Sequence, residues 1–274
     1  MITNTPINPH EARRLIVETA AECGESAHLG GALSMIELLS VLFGGFLRHR
    51  PDQPDWEDRD IFILSKGHAV LGYLVVLHLF GYFDRDKLRT FQTNDSDLIA
   101  HPIKKIPLGI ESSNGSLGQG LSYGLGVAIG MQKRGQDRRV AVMMGDGECN
   151  EGSVWESAAL ASELGITNLV AMVDVNGFRN DGENTMYTRG PNIADVWRGF
   201  GWHVAEVDGH DEAAITASMD SAFKGDQGPH VIVAHTTKGK GISFMEANND
   251  WHHNRITAKV LEEIEAEMGG ANHD

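Results

Sequence analysis

Residues 139–176 read RVAVMMGDGECNEGSVWESAALASELGITNLVAMVDVN, and this stretch decides the fold. An apolar run predicts a strand over Arg139 to Met144, and a second apolar run predicts a strand over Leu169 to Val175. The spacing between them predicts a helix from Ser153 to Leu164. Two mostly apolar strands joined by a helix are typical of a parallel sheet that is covered on both faces.

The same alternation continues on both sides of this stretch. Downstream, strands are expected over His203 to Val207 and His230 to Ala234, with a helix over Glu212 to Phe223 between them. Upstream, a short strand is expected over Ile61 to Leu64 and a helix over Ser116 to Lys133. We therefore predict an α/β fold, a doubly wound and mostly parallel sheet with helices on both faces.

Nearer the amino terminus, two further helices are predicted. Apolar residues recur at helical spacing from about Pro9 to Cys23. Ser34 with Glu37 three residues later is typical of a capping box, which predicts a helix that begins at Ser34 and runs to Phe46.

Composition narrows the class of protein. The chain has 274 residues, of which 41% are hydrophobic and 22% charged, as in ordinary globular proteins. Its formal charge of −15 disfavours nucleic-acid binding, and its longest apolar run is too short to span a bilayer. Two isolated cysteines, Cys23 and Cys149, favour a reducing compartment. We expect one cytoplasmic domain over residues 1–274, with its core at about 10–260, and no nucleic-acid or membrane partner.

Oxygen-bearing side chains stand where two of the predicted strands end. Asp146 lies between Gly145 and Gly147 just past the first strand, and Asn176 lies just past the second. Open parallel sheets bind ligands at this edge, so the two side chains should share a crevice. One carboxylate with one amide suits Mg²⁺, which takes ligand phosphates and water as its other ligands. The glycines would let a diphosphate approach the backbone, next to the positive end of the following helix.

This pairing resembles the diphosphate and metal motif of thiamine-diphosphate enzymes, and the segment that follows Asp146 is similar to that of transketolases. Other segments resemble transketolase motifs in the expected order between about residues 10 and 260. They are AHLGG at 27–31, SKGHA at 65–69, HP at 101–102, GSLGQG at 115–120, TKGKG at 237–241 and WH at 251–252. Seven ordered motifs are a specific signal, whereas each alone would be weak.

The resemblance implies roles for individual residues. His28 and His252 would contact substrate oxygens and His101 would line the substrate channel, so these three are the expected catalytic residues. Imidazoles suit this task because they exchange protons near neutral pH. The Mg²⁺ ligands would be the side chains of Asp146 and Asn176 and the backbone carbonyl of Phe178. The residues expected to bind thiamine diphosphate are His68, Gly115, Ser116, Leu117, Asp146, Gly147, Asn176, Lys238 and His252.

The chain departs from the family pattern in two ways. Gly31 stands where many full-length transketolases carry a serine, so a cofactor contact is lost. Full-length transketolases also continue into a domain that binds the aminopyrimidine ring and supplies the glutamate that activates it, and these 274 residues contain no such domain. Glu151 and Glu156 resemble acidic residues at the family's dimer contact.

The resemblance therefore implies the amino-terminal subunit of a split transketolase. It would move a two-carbon ketol unit from a ketose to an aldose, both as sugar phosphates, together with a carboxy-terminal subunit in a two-plus-two heterotetramer. The alternatives are a subunit of another thiamine-diphosphate transferase, such as a 1-deoxyxylulose-5-phosphate synthase-like enzyme or a transketolase for an unusual sugar, and a non-catalytic cofactor-binding scaffold. A Rossmann dehydrogenase is disfavoured because no GxGxxG motif follows a first strand.

Overall fold

A computed structural model describes residues 6–270, so the two ends of the predicted domain, 1–5 and 271–274, lie outside it. The strands of the structure are β1 Ile61–Leu64, β2 Val140–Gly145, β3 Leu169–Val175, β4 Phe178–Arg179, β5 Gly182–Glu183, β6 His203–Asp208 and β7 His230–His235. Five of them are parallel and form the central sheet in the order β1-β2-β3-β7-β6. The predicted parallel sheet is confirmed.

Helices cover both faces of the sheet. They are α1 Pro9–Cys23, α2 Gly30–Ser34, α3 Ile36–Val41, α4 Val70–Leu79, α5 Arg85–Leu88, α6 Gln119–Lys133, α7 Gly152–Glu163, α8 Thr185–Thr188, α9 Ile193–Gly199, α10 Glu212–Lys224 and α11 Ala258–Gly270. None of the helices in the described residues is both long and apolar enough to cross a membrane.

The hydrophobic core is divided by the sheet into two layers. Along β2, Ala141 and Met143 face the layer that contains α1 to α4, whereas Val140 and Val142 face the layer that contains α6, α7 and α9. This alternation follows from the strand geometry, in which successive side chains point to opposite faces. Because both faces are covered, all six residues of β2 are buried.

The helix predicted from Ser34 to Phe46 is wrong at its start. Ser34 is the last residue of α2, and Glu37 lies in α3, so they form no capping box. Tertiary partners take both side chains: Ser34 Oγ donates to Asp174 Oδ2 at 2.6 Å, and Glu37 is ion-paired with Arg13. The last turn, Leu42–Phe46, is a wider π-type turn.

One element near the sheet's carboxyl edge had no counterpart among the predicted elements. Strands β4 and β5 form a small antiparallel hairpin over residues 178–183, directly after β3. The register of β2 and β3 pairs Gly145 with Asp174, so the residues that follow these strands emerge side by side, next to the hairpin.

Candidate functional site

A cavity of about 430 Å³ lies at the carboxyl ends of β2 and β3. The hairpin closes one side of it, and loops that precede α2, α4 and α6 close the other. Its lining includes every residue for which the sequence predicted a catalytic, cofactor or metal role, except Ser116. Those lining residues are His28, His68, His101, Gly115, Leu117, Asp146, Gly147, Asn176, Phe178, Lys238 and His252.

Asp146 is the first residue after β2 and is 1% exposed. Its Oδ2 accepts a hydrogen bond of 3.0 Å from Asn184 Nδ2, whereas its Oδ1 is buried and has no hydrogen-bond partner among residues 6–270. Burial raises the pKa of the Asp146 carboxyl group to about 6. Leaving a buried acceptor without a donor is costly, so this oxygen is suited to a cation.

Asn176 is the first residue after β3, and its amide is fixed at both ends. Its Nδ2 donates to Asp174 Oδ2 at 3.0 Å, and its Oδ1 accepts from the Phe178 N–H at 3.2 Å. A carbonyl oxygen has two lone pairs, so Oδ1 can still bind an ion. We call Asp146, Asn176 and Asp174 the metal end of the cavity.

Asp174 is buried completely and holds the metal end in place. It forms an ion pair with Lys66, which is 1% exposed and also donates to the Gly31 carbonyl at 2.9 Å. Burial alone would raise the pKa of Asp174, but the Lys66 ammonium outweighs it and holds the pKa below its ordinary value. Ser34 and Thr236 also donate to this carboxylate. The ion pair and these further hydrogen bonds together offset the cost of removing the Asp174 and Lys66 charges from water.

Glu148 follows the metal loop and joins three segments. Its carboxylate accepts from the Gly118 N–H at 2.8 Å, from the Gly145 N–H at 3.3 Å and from the Ser65 hydroxyl. Burial raises the pKa of Glu148. These bonds occupy both oxygens of the Glu148 carboxylate.

Four histidines from four separate segments meet at the other end of the cavity. The ring centre of His28 lies 5.3 Å from that of His68, 5.9 Å from that of His101 and 5.4 Å from that of His252. We call these four residues the histidine end. His253, which the sequence left without a role, packs against His28 at 4.3 Å.

Three of the four rings of the histidine end, those of His28, His68 and His252, are uncharged at neutral pH. Burial, and secondarily the neighbouring imidazoles His253 and His252, lower the pKa of His28 to about 3. Burial and the Lys238 ammonium lower the pKa of His252 to about 4, and burial together with Lys66 lowers that of His68 strongly. A neutral imidazole offers one N–H donor and one acceptor, which suits contact with a sugar hydroxyl.

Lys238 connects the histidine end to the hairpin. It is 2% exposed, and its Nζ donates to Asn249 Oδ1 at 2.6 Å and to His252 Nδ1 at 2.9 Å. Because an ammonium group only donates, the neutral His252 ring must carry its proton on Nε2. Burial lowers the pKa of Lys238 to about 8, so the side chain is mostly charged at neutral pH.

Several residues around the cavity were missed by the sequence reasoning. Lys66 and Asp174 looked like part of a loop and part of a strand, and no local pattern marks a pair 108 residues apart. Asn184 and Arg179 belong to the hairpin region, which no periodicity predicted. Ser116, by contrast, was predicted to bind the cofactor but is exposed and does not line the cavity, so its role stays a prediction.

The donors present fit the Mg²⁺ ion that the family implies. No cluster of three His, Cys, Asp or Glu that could hold a metal occurs in residues 6–270. The oxygen donors present are instead one carboxylate with an unused buried oxygen and one amide oxygen. The Phe178 carbonyl lies near them, 3.5 Å from where a Cβ on Gly147 would stand. Such a small set of hard oxygen ligands suits Mg²⁺ bound together with ligand phosphates.

Comparison with known proteins identifies the family. Residues 8–273 match the family described as transketolase, thiamine diphosphate binding domain. The chain is 36% identical over 256 residues to one of the subunits of apulose-4-phosphate transketolase from Phocaeicola vulgatus, covering 93% of this chain and 90% of that protein. It is 34% identical over 256 residues to a 6-deoxy-6-sulfo-D-fructose transketolase subunit of Clostridium sp., covering 93% of each.

Solved transketolases have the same fold over a larger chain. The structure matches transketolase from Campylobacter jejuni with a TM-score of 0.86 at 27% identity, covering 95% of this chain and 42% of that one. Transketolase from Pichia stipitis gives a TM-score of 0.86 at 28% identity and is covered to 40%. The chain therefore spans about two fifths of these enzymes. It belongs to the transketolase family and corresponds to the thiamine diphosphate binding domain.

Proposed function

We propose that this member of the transketolase family is the amino-terminal subunit of a split transketolase. The enzyme moves a two-carbon ketol unit from a ketose to an aldose, and it is active when a second chain supplies the pyrimidine-binding domain. The observation that carries the proposal is the meeting, in one cavity, of an unsatisfied buried carboxylate oxygen and four histidine side chains. The near-complete coverage of relatives that are named as subunits supports the division into two chains.

Thiamine diphosphate would be held by its diphosphate through Mg²⁺ at the metal end, and it supplies the electron sink that ketol transfer needs. Asp146, Asn176 and the Phe178 carbonyl would bind the ion. Gly147 would donate its N–H to the diphosphate, and His68 and Lys238 would contact it from the histidine end. Gly115, Ser116 and Leu117 would line the path of the cofactor. We further propose that residues 1–274 form a single domain of this kind.

The histidines would bind and orient the sugar. His28 and His252 would hydrogen-bond to substrate oxygens, and His101 would line the approach to them. Because Lys238 fixes the proton of His252 on Nε2, that ring would present a donor and not an acceptor to the substrate. Positioned donors that meet developing charge lower the barrier of the transfer step.

The partner would be a carboxy-terminal transketolase subunit, with two copies of each chain if the assembly is two-fold symmetric. Large apolar side chains are exposed on two adjacent helices: Tyr123 of α6 is 45% exposed and Leu160 of α7 is 43% exposed, and Leu164 just after α7 is 50% exposed. A partner would bury such a surface. Both cysteines of the described residues are free thiols, which supports our proposal that the enzyme works in the cytoplasm.

The sugars are proposed from the relatives, which are named for apulose-4-phosphate and for 6-deoxy-6-sulfo-D-fructose. We expect a ketose that carries an anionic group, a phosphate or a sulfonate. A panel of common, branched and sulfonated sugars would identify the donor and the acceptor.

The test is donor cleavage by the rigorously purified chain, alone and after reconstitution with a candidate carboxy-terminal partner, with thiamine diphosphate and Mg²⁺ present. We expect no turnover by the chain alone and clear turnover by the mixture. Robust turnover by the single chain would refute the division into subunits. Failure of the mixture to bind the cofactor with Mg²⁺ would refute the catalytic proposal, whereas cofactor binding without turnover in the mixture would favour the non-catalytic cofactor-binding scaffold.

A further inference from the structure

We propose that Arg179, a residue of the hairpin, binds the diphosphate group directly and supplies it with a positively charged fork of hydrogen-bond donors. This inference rests on the proposed function, because it needs an anionic ligand at the metal end. It adds a binding residue that none of the transketolase-like motifs in the sequence contains.

The first observation is the course of the Arg179 side chain. Arg179 ends β4, and a Cβ built on Gly147 would lie 2.9 Å from Arg179 Cγ. The arginine stem therefore runs over the backbone of Gly147, the residue next to Asp146. Glycine at position 147 leaves the room that this crossing needs, since a larger residue would displace the stem.

The second observation is the unused hydrogen-bonding capacity of this side chain. Arg179 Nε is buried and has no hydrogen-bond partner among residues 6–270. Its Nη2 has one long bond of 3.4 Å, to the Glu183 carbonyl, and no described carboxylate lies within 4.0 Å of the guanidinium. Leaving a buried charged donor unpaired is expensive, and a guanidinium matches the geometry of phosphate oxygens.

The third observation is a comparison with the other two cations of the cavity lining. Lys66 is neutralised by Asp174, and Lys238 is hydrogen-bonded to Asn249 and His252. Within the described part of the chain, Arg179 is thus the cation of the lining whose donors are least used. Lys238 Nζ also donates to the Arg179 carbonyl at 3.3 Å, so this ammonium lies against the backbone of the hairpin that carries Arg179.

The carboxylates nearby do not account for Arg179. Glu183, which pairs with Phe178 across the hairpin, is ion-paired with Arg189 at 3.1 Å. Asp181, at the hairpin tip, accepts from Asn180 Nδ2 at 3.1 Å. Glu148 is occupied by its bonds to the loops around it, and Asp146 is the expected metal ligand.

The test measures binding by calorimetry for the full chain, with Mg²⁺-pyrophosphate, Mg²⁺-thiamine diphosphate and thiamine without phosphate as probes. The variants are Arg179→Gln and Arg179→Lys, and the matched control is Arg189→Gln, which removes an exposed arginine that contacts the same hairpin. We expect Arg179→Gln to weaken both diphosphate probes about tenfold to a hundredfold. Arg179→Lys should fall between it and the wild type, and Arg189→Gln should equal the wild type.

Thermal unfolding of the ligand-free variants distinguishes a role of Arg179 in ligand binding from a role in stabilising the hairpin. If Arg179 only braces the hairpin, Arg179→Gln will lower the melting temperature without ligand, and its diphosphate affinity will fall no more than that of Arg189→Gln. That result, or wild-type affinity for pyrophosphate in Arg179→Gln, overturns the inference and leaves the proposed function intact. If the wild type binds neither diphosphate probe, the proposed function fails as well.

Discussion

The metal end and the histidine end face the same cavity but are built differently. The side chains of the metal end lie in or directly after β2 and β3, and the Lys66–Asp174 pair holds them from behind. The rings of the histidine end come from loops and short turns in four segments. Of these four rings, that of His252 is the one with a hydrogen bond to another side chain of the described residues. One end is preorganised by the sheet, whereas the other leaves most of its ring nitrogens available to a ligand.

This difference predicts that substitutions at the metal end abolish binding, whereas substitutions at the histidine end slow the reaction. Asp146→Ala should lower the affinity for Mg²⁺-thiamine diphosphate more than about a hundredfold, because even an outer-shell partner of a metal site contributes about tenfold to a hundredfold. Asn176→Ala should have a smaller effect. Calorimetry measures both, with Asp52→Ala as an exposed control. Unchanged affinity in Asp146→Ala would show that this carboxylate is not a metal ligand.

His28→Ala should show the opposite pattern in the reconstituted enzyme. Turnover should fall roughly a hundredfold, since a hydrogen bond that strengthens in the transition state contributes that much. Cofactor affinity should stay within about twofold of the wild type. Steady-state kinetics and calorimetry on the same samples separate the two, with the exposed His235→Ala as control. A loss of cofactor affinity as large as the loss of turnover would erase the distinction between the two ends.

The neutral histidines also make stability depend on pH. In the unfolded chain an imidazole takes up a proton near pH 6.5, whereas folded His28 and His252 do so at about 3 and about 4. Between these values the unfolded state binds more protons, so stability is complete above about pH 6.5 and falls as the pH is lowered. Urea unfolding at pH 7.5 and pH 5 should show this loss, and His28→Asn should reduce it. An equal loss in both proteins would contradict the burial of a neutral His28.

The smallest expected effect concerns Gly31, which lies between the two ends. A Cβ at Gly31 would lie 3.5 Å from His68 Nε2, an ordinary contact, so Gly31→Ser should change the free energy of unfolding little. It should raise cofactor affinity a few-fold if the serine restores the missing contact. Gly30→Ser is the matched control, because its Cβ would lie 2.8 Å from Lys238 Cγ. Thermal unfolding should show a clearly lower melting temperature for Gly30→Ser, and calorimetry on both variants measures the cofactor affinity. Equal melting temperatures and equal affinities of the two variants would contradict the difference in space between positions 30 and 31.

The sequence predicted what depends on short-range pattern. The apolar runs located β3 at its observed bounds, Leu169–Val175, and the rule that ligands bind at strand ends then placed Asp146 and Asn176 in one crevice. Short-range patterns of this kind cannot predict contacts between segments that are far apart in the sequence. Ser34 looked like a helix cap because serine often is one, but a hydrogen bond to Asp174, 140 residues away, decides its place.

The hairpin was missed for a different reason. Its strands are two residues long, so they give no alternation that a sequence pattern could reveal. Arg179 and Asn184 therefore carried no signal, although Asn184 is fully buried and donates to Asp146. The resemblance to transketolase motifs predicted the roles of the individual histidines. The residue pattern alone indicated only that their imidazoles lie in loops.

The position of the hairpin bears on how fast a ligand could enter and leave the cavity. Lys238 Nζ donates to the Arg179 carbonyl, and Asn249 Nδ2 donates to the Asn180 carbonyl at 2.9 Å, so two loops from the far end of the chain fasten the hairpin over the cavity. We expect a molecule bound beneath the hairpin to leave when these bonds break together. The lifetime of the bound state, and not its affinity alone, should therefore depend in part on Asn249, which hydrogen-bonds to both the hairpin and Lys238.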